Sequence, residues 1–352
     1  MSKVSMTQIA ERLGVSKSLV SLALSNKYGV SDETRFKIYM TAIQMGFDFQ
    51  TIKSSSNSKS RGKYDISVVI KRMDFMNGRL WPETLSGIEH IISQQNNRIH
   101  TVFFDDESDI ESVLVEIVKN DTDGVIVISE IPNNILSKLK EMRMPVVIVD
   151  GKEYLDGLFD NVRANNYLGG YLVAEYLIKK GHKKIAFVGD IEYYVSFKER
   201  HNGFDDYIRK NKKGIEVIPI VSSAKYSPET EYLFAQEEVV MLLTDKENLP
   251  TAIVCANDTI AGYVYNILLQ YDVRIPEDVS IIGFDNLEVT YSYKPKLTSV
   301  DVDKREMGQI AVKMLMERML KQRKNICSQM LSVNIDEKKS VRDLNEGDKE
   351  ND

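Results

Sequence analysis

The sequence predicts two kinds of structure in one chain: a small all-α headpiece, then an α/β body of two parallel-sheet subdomains. Three observations predict it. Residues 1–47 hold only short amphipathic helical stretches. From Tyr64 onward, short β-branched runs alternate with helical ones, the pattern of parallel strands covered on both faces. Between them, Ser54-Ser55-Ser56-Asn57-Ser58-Lys59-Ser60-Arg61-Gly62-Lys63 is polar, basic and aperiodic, within a linker that spans 48–63.

The headpiece is legible residue by residue. Ser5 and Gln8 have the spacing of a capping box, each able to satisfy the other's orphan amide. Met6, Ile9, Ala10 and Leu13 then form one apolar stripe on a short helix. Gly14 can take the positive φ of a sharp turn, and Val15 can plug the corner. Ser16 caps a second helix on which Val20, Ala23 and Leu24 point one way, and Lys17, Ser18, Ser21 and Leu22 the other. Ser31 caps a third helix, with Asp32 and Glu33 in its first turn, and Gly46 ends it. Such a helix-turn-helix over residues 1–47 suits a DNA major groove, with a plain helical cap as the bland alternative.

Charge favours the first reading. Residues 1–63 carry ten Lys and Arg against four Asp and Glu, a net of +6. The whole chain is −6, so residues 64–352 carry −12. That asymmetry fits a head built for phosphates and a body that is not.

In the body, strands are expected at Ile66–Ile70, Thr101–Phe104, Gly124–Ile128, Val146–Val149, Lys184–Val188, Val217–Val221, Ala252–Cys255 and Val279–Ile282. Helices are expected at Tyr167–Lys180 and Thr259–Gln270. Eight such strands exceed one ordinary doubly wound sheet, so two subdomains with a cleft between them are expected. The N-subdomain is set at about 64–161 plus 291–322, and the C-subdomain at about 162–290 plus 323–340. The charged stretch after Asp336 is expected to fray, with a flexible tail over 341–352. No apolar run is long enough to span a membrane and no secretory signal is present, so a soluble cytoplasmic protein is expected. The two cysteines, Cys255 and Cys327, have no metal or redox spacing.

In order along the chain, these pieces resemble the LacI–GalR family of bacterial transcriptional regulators. The likeness runs from about Val4 to Ser340. It is carried by Ile9-Ala10 through Val20-Ser21, Val30-Ser31-Asp32-Glu33-Thr34-Arg35 and Asp123-Gly124-Val125-Ile126. Further on it is carried by Asn165-Asn166-Tyr167-Leu168-Gly169-Gly170, Gly181-His182-Lys183-Lys184-Ile185, Arg200-His201-Asn202-Gly203-Phe204 and Ala256-Asn257-Asp258. Ile275-Pro276-Glu277-Asp278-Val279 through Asp285-Asn286, and Pro295-Lys296-Leu297-Thr298-Ser299-Val300, close the set. The resemblance implies a periplasmic-binding-protein-like (type I) sensor for the body and a homodimer working on a palindromic double-stranded operator. It implies that ligand closes the cleft and changes the spacing of the two heads. A ligand favouring the non-binding form is an inducer; one favouring the binding form is a corepressor. The stretch after Asp336 lacks a leucine heptad, which favours a dimer over a tetramer built on a C-terminal coiled coil.

Two positions depart from the family pattern. The family's hinge usually carries a leucine that wedges into the minor groove, and here serine stands in its place within Gln50-Thr51-Ile52-Lys53-Ser54-Ser55-Ser56. Either Ile52 substitutes, or the hinge acts mainly through phosphate contacts from Lys53, Lys59, Arg61 and Lys63. The second departure is Leu22, which cannot make a bidentate contact to guanine but can lie against a thymine methyl.

For DNA, the resemblance and the helical geometry agree on Lys17, Ser18 and Leu22 as base-facing. Thr7, Ser16, Ser21, Asn26 and Ser31 suit phosphate oxygens, although Ser16 and Ser31 could serve only as caps. For the effector, the family positions transfer to Trp81, Ser129, Arg200, Tyr226, Asn257 and Asp285. Arg200 offers a fork of donors, Asp285 and Asn257 offer acceptors, and Trp81 and Tyr226 offer flat apolar faces, a set that suits a sugar ring. Trp81 could instead be core, Arg200 an interface salt bridge, and Asp285 a helix cap. His182 reads as structural.

Competing readings are a sugar-processing α/β enzyme, a purine-type corepressor and control by a phosphorylated carrier protein. The enzyme reading lacks a constellation: no dinucleotide or phosphate-loop glycine motif, no nucleophile elbow and no zinc-helix motif occurs. No catalytic residue, metal or cofactor is expected. For the carrier protein, Lys304-Arg305-Glu306 could accept a phosphate or be a solvated face. For a purine, Asp285-Asn286 and the aromatic pair would serve.

Overall fold

The computed structural model describes residues 4–25, 27–49, 63–77, 80–106, 109–129, 131–151, 158–192, 195–211, 214–220, 240–242 and 249–345. It divides into two compact units, 1–163 with 304–329 and 164–303 with 330–352. Within the first unit the headpiece forms α1 (Met6–Leu13), α2 (Lys17–Leu24) and α3 (Asp32–Met45). The capping box closes as the spacing requires: the Ser5 amide donates to Gln8 Oε1 at 2.8 Å and the Gln8 amide to Ser5 Oγ at 3.3 Å. Gly14 follows at φ 67°, the left-handed turn that redirects the chain into α2. Ile9, Ala10, Val20, Ala23, Leu24, Ile38, Tyr39, Ala42 and Ile43 are buried together as one small core.

That core continues past the headpiece. Phe47 and Phe49 are buried edge to face, ring centroids 5.4 Å apart, so apolar packing enters the stretch assigned to the linker. α3 packs on α6 (Ile110–Lys119), and the headpiece residues share one apolar cluster with Val113, Leu114, Val115, Ile117 and Val118 of that helix.

The first unit's sheet has the order β11-β5-β4-β3-β1-β2. Its strands are β1 (Asp65–Lys71), β2 (Arg98–Phe104), β3 (Gly124–Ile128), β4 (Val146–Val149), β5 (Asp160–Ala164) and β11 (Ser328–Leu331). The β1–β2, β1–β3, β3–β4 and β4–β5 pairs are parallel. α4 (Arg72–Asn77), α5 (Leu80–Gln94), α6, α7 (Asn133–Glu141) and α11 (Lys304–Met319) accompany it. Sequence patterning misses β5 because Asp160, Asn161 and Arg163 are polar, yet all three are buried. Asp160 accepts from Arg318, Arg323 and the Cys327 amide, which satisfies the carboxylate and ties down the chain after α11.

In the second unit the sheet has the order β12-β10-β9-β8-β6-β7. It comprises β6 (Lys184–Val188), β7 (Glu216–Ile220), β8 (Ala252–Cys255), β9 (Ser280–Asp285), β10 (Thr298–Asp301) and β12 (Asn334–Asp336). β12 runs antiparallel to β10, while β10–β9, β9–β8, β8–β6 and β6–β7 are parallel. Its helices are α8 (Asn166–Lys179), α9 (Val195–Lys210) and α10 (Asp258–Gln270). Gly170 and Gly203 let α8 and α9 approach so closely that a Cβ at either would overlap the other helix's backbone, at Arg200 and Tyr167 respectively. This contact fixes the axial position of Arg200.

Two segments sort differently from the sequence expectation. Residues 291–303 fall in the second unit because β10 pairs with β9 and β12. Residues 323–329 fall in the first because Arg323 and the Cys327 amide bind Asp160. The stretch expected to fray is also tied down as far as Asn345. Ser340 and Val341 are buried, the Leu344 amide donates to the Lys180 carbonyl at 2.8 Å, and Asn345 Nδ2 donates to the Lys179 carbonyl at 2.9 Å. Residues 346–352 lie outside the described residues. Among the described residues, no helix is long and apolar enough to cross a membrane.

Candidate nucleic-acid interface and effector site

On α2 the side chains divide as the pattern requires. Val20, Ala23 and Leu24 are buried, Lys17 and Ser18 are exposed, and Ser21 and Leu22 are half-buried at the edge of the outer face. Ser16 and Ser31 both act as N-caps, accepting from the Leu19 and Thr34 amides at 3.2 and 3.3 Å. Both are also exposed, so capping and phosphate binding are compatible at each position. Thr7 is exposed in the first turn of α1. Asn26, Ile52 and Lys53 lie outside the described residues.

A residue missed by pattern reading holds this face in place. Arg35 is buried and donates to the Ala23 carbonyl at 2.9 Å and the Lys27 carbonyl at 2.6 Å. Tyr39 Oη adds a 3.0 Å bond to the Ala23 carbonyl. Together they satisfy carbonyls at the C-terminal end of α2 and set the path of the following loop, on which Tyr28 is fully exposed. The clue in the sequence was an arginine on the inward face of α3, a residue type that is buried only when paired.

The strand ends carry the second set. In the second unit, Asp285 ends β9 with φ 99° and is followed by Asn286 at φ 50°. Arg200, on α9, is buried and reaches it: Nη2 donates to Asp285 Oδ1 at 3.0 Å. Nε donates to Asn166 Oδ1 at 3.0 Å and Nη1 to the Ala256 carbonyl at 2.6 Å. The guanidinium carbon lies 3.6 Å from the Phe284 ring centroid, a desolvated cation–π contact. Arg200 and Asp285 are thus a buried ion pair within this unit, and Asp285 is not a helix cap.

Asn257 does cap a helix: its Oδ1 accepts from the Ile260 amide at 2.8 Å at the start of α10. That bond uses part of the acceptor capacity attributed to it as an effector contact. Next to it, Asp258 is buried, with the Leu287 amide donating to Oδ2 at 2.7 Å and Ser299 Oγ to Oδ1 at 2.6 Å. Burial, and then the neighbouring Asp285 charge, push its carboxyl up to about 7. The Asn286 amide group is fully occupied inside the chain, donating to Asp301 and Asp336 and accepting from Lys338. It therefore offers little to a ligand.

In the first unit, Ser129 follows β3 at φ 66°, its amide donating to the Val149 carbonyl at 2.9 Å. Trp81 is 7 % exposed near the start of α5, so protein covers most of its indole. Tyr226 lies outside the described residues. At the carboxyl ends of β1 and β2, the rings of Phe75 and Phe103 meet tilted at 59°, centroids 5.3 Å apart, and Arg72 lies over Phe103 while pairing with Asp105. Sequence reading did not single out this aromatic pair, because its residues are 28 positions apart and meet only through the parallel β1–β2 register.

His182 is buried, bonding Thr251 Oγ1 at 3.0 Å through Nδ1 and the Arg342 carbonyl at 3.1 Å through Nε2, a structural placement. Lys304 is buried at 3 % exposure, which removes it from any phosphate-accepting surface in the 304–306 segment. Among the described residues, no group of three His, Cys, Asp or Glu side chains is placed to hold a metal ion.

Comparison with known proteins points the same way. Residues 174–341 match the periplasmic binding protein-like domain. The chain is 26% identical over 344 residues to the HTH-type transcriptional repressor PurR of Klebsiella pneumoniae, spanning 95% of this chain and 96% of that one. A ribose-bound LacI family transcriptional regulator from Enterococcus faecium superposes with a TM-score of 0.66 at 26% identity, over 79% of this chain and 99% of that one. Over nearly its whole length the chain is similar to repressors and regulators of the LacI family. The operator-bound lac repressor dimer shares its fold, with a TM-score of 0.66 over 97% of this chain and 100% of that one, at 19% identity. Like that fold, the chain joins a helical N-terminal segment to two mostly parallel-sheet α/β units. Its relatives are transcriptional regulators rather than enzymes.

Proposed function

We propose that this chain is a sequence-specific repressor that binds a palindromic operator as a homodimer, with an affinity set by a small carbohydrate-type effector. The observation that carries the DNA half is the outer face of α2, where Lys17 and Ser18 are exposed beside Leu22 above a closed apolar core. Lys17, Ser18 and Leu22 read bases, and Thr7, Ser16, Ser21 and Ser31 contact phosphates, with Asn26 assigned the same role. Ile52 and Lys53 serve as the hinge contacts.

Support for the effector half comes from Arg200 and Asp285, a charged pair placed at the carboxyl end of a parallel strand, where open α/β sheets bind ligands. A guanidinium carries five N–H donors, so the bonds to Asn166, Ala256 and Asp285 leave donors for a hydroxyl-rich ligand. Asn257 and Tyr226 are the further effector candidates of the second unit, and Trp81 and Ser129 those of the first. The Enterococcus faecium relative was crystallised with ribose, which places a pentose first on the panel.

A purine-type effector is the second reading, favoured by the aromatic faces of the tilted Phe75–Phe103 pair. It loses Asn286 as a base-recognising amide, because that group is occupied internally. The deciding experiment is thermal shift against sugars, sugar phosphates and nucleobases, followed by titration of an operator selected from random DNA. A sugar should raise the melting temperature and change operator affinity at least tenfold. A response to nucleobases alone would transfer the site to the purine reading, and silence across the panel would sink small-molecule control. An effect of phosphorylated carrier protein alone would move control to a protein partner.

A further inference from the structure

Asp285 and Asn286 form an uncommon backbone: two consecutive residues other than glycine, both at positive φ (99° and 50°). Such a turn persists only when its surroundings over-determine it. The surroundings are specific. Asp258 takes the Leu287 amide on Oδ2 at 2.7 Å and the Ser299 hydroxyl on Oδ1 at 2.6 Å. Ser299 Oγ in turn accepts the Asn286 amide at 3.1 Å. One buried carboxylate and one buried hydroxyl thereby fix the two amides that follow Asp285. Gly283 completes the arrangement, because a Cβ there would occupy the position of Asp258 Oδ1.

We propose that Asp258 and Ser299 are positioning residues of the effector site, locking the 285–287 turn so that the Asp285 carboxylate meets Arg200 in one orientation before any ligand arrives. The proposal rests on the reading of Arg200 and Asp285 as effector contacts. Asp258 touches neither Arg200 nor the ligand in this scheme; it acts through the backbone. Its place directly after the Asn257 cap links the start of α10 to the end of β9, so the adjacent strand ends β8 and β9 are held in register by a side chain as well as by their ladder.

The chemistry gives the variants distinct expectations. Ser299→Ala removes the acceptor of the Asn286 amide. Asp258→Ala removes both acceptors at once. Asp258→Asn keeps a carbonyl oxygen for the Leu287 amide and an amide donor for Ser299 Oγ, so it should restore most of the geometry. The readout is the side-chain NMR signal of Arg200 in ¹⁵N-arginine-labelled full-length protein without added ligand, assigned by Arg200→Lys. In the wild type its guanidinium protons, bonded to Asn166, Ala256 and Asp285, should exchange slowly with water. In Ser299→Ala and Asp258→Ala the signal should shift and exchange at least tenfold faster, while Asp258→Asn stays near the wild type. Melting curves identify any variant that fails to fold, and Ser299→Ala, the milder change, then decides. An unchanged Arg200 signal in folded Ser299→Ala overturns the proposal, as does Asp258→Asn behaving like Asp258→Ala. Titration of wild-type protein with D-ribose, cellobiose and hypoxanthine tests the underlying effector reading separately: if none moves the Arg200 signal, that reading fails while the exchange comparison still stands.

Discussion

The headpiece and the second unit solve opposite problems with charged and polar side chains. On the outer face of α2, Lys17 and Ser18 are exposed, and Leu22 sits half-buried at the edge. The stability of that helix comes from beneath, from Val20, Ala23 and Leu24 and from Arg35 and Tyr39 bonding the Ala23 carbonyl. In the second unit the functional candidates are the buried structure: Arg200 and Asp285 satisfy each other inside the protein. Under the proposed roles, recognition and stability are separable at Lys17 and entangled at Arg200 and Asp285. On that proposal Lys17 can be changed with loss of binding alone, whereas a change at Arg200 or Asp285 alters both.

The sharpest break in this contrast is Asp285→Ala. It strands a buried guanidinium, and removing one partner of a buried ion pair costs about 3–5 kcal/mol. Urea unfolding should show that loss, and a loss below about 1 kcal/mol would mean the pair is not held as described. Replacing Arg200 and Asp285 together with apolar residues should recover much of it, since no unpaired charge is left.

Titration sharpens the same contrast through Asp258. Its carboxyl is raised from 3.8 to about 7, so the folded state holds a proton that the unfolded chain releases between those values. Stability from this group is full below pH 3.8 and falls as pH rises to about 7. Asp160 has the opposite sign. Burial raises its pKa, but Arg323, Arg318 and the Cys327 amide outweigh burial and leave it lowered. Its contribution is present above the ordinary carboxylate value and is lost as pH falls through the depressed one. Melting temperatures of Asp258→Asn relative to the wild type should therefore rise between pH 5 and 7. Those of Asp160→Asn relative to the wild type should be lowest near neutrality and recover in acid.

On the head, Lys17→Ala should cost about 1–3 kcal/mol of operator discrimination at one base position and leave the melting temperature within a degree. Equal losses on operator and random DNA would reassign Lys17 to the phosphates. The smallest effect belongs to Ser16→Ala, which removes a helix cap worth about 1 kcal/mol. If operator affinity falls further than stability does, Ser16 binds phosphate as well as capping.

What could be read from the sequence follows the same division. β3 and β4 are continuous apolar runs, and the headpiece helices carry stripes and caps, so local pattern specifies them. β5 could not be read this way, because Asp160, Asn161 and Arg163 are polar yet buried, Asp160 through partners as distant as Arg318 and Arg323. β11 and β12 are short edge strands with exposed residues and no apolar run. At the strand ends, Arg200 and Asp285 were legible through the family pattern. Asn166, Asp258 and Ser299 were not: an acid in the first turn of a helix, like Asp258, already has a sufficient local reason to be there, and the partners of Asn166 and Ser299 lie far away in sequence. Their role depends on which backbone amides the fold brings to them.

The apolar cluster that runs from the headpiece into α6, with Phe47 packed on Phe49, has a mechanical consequence. A headpiece attached only by a serine-rich tether would diffuse within a sphere set by tether length, and its orientation would carry no information about the body. One seated on α6 through a common core instead takes its orientation from the first unit, so Phe47 and Phe49 set where α2 points as well as how firmly the head is held.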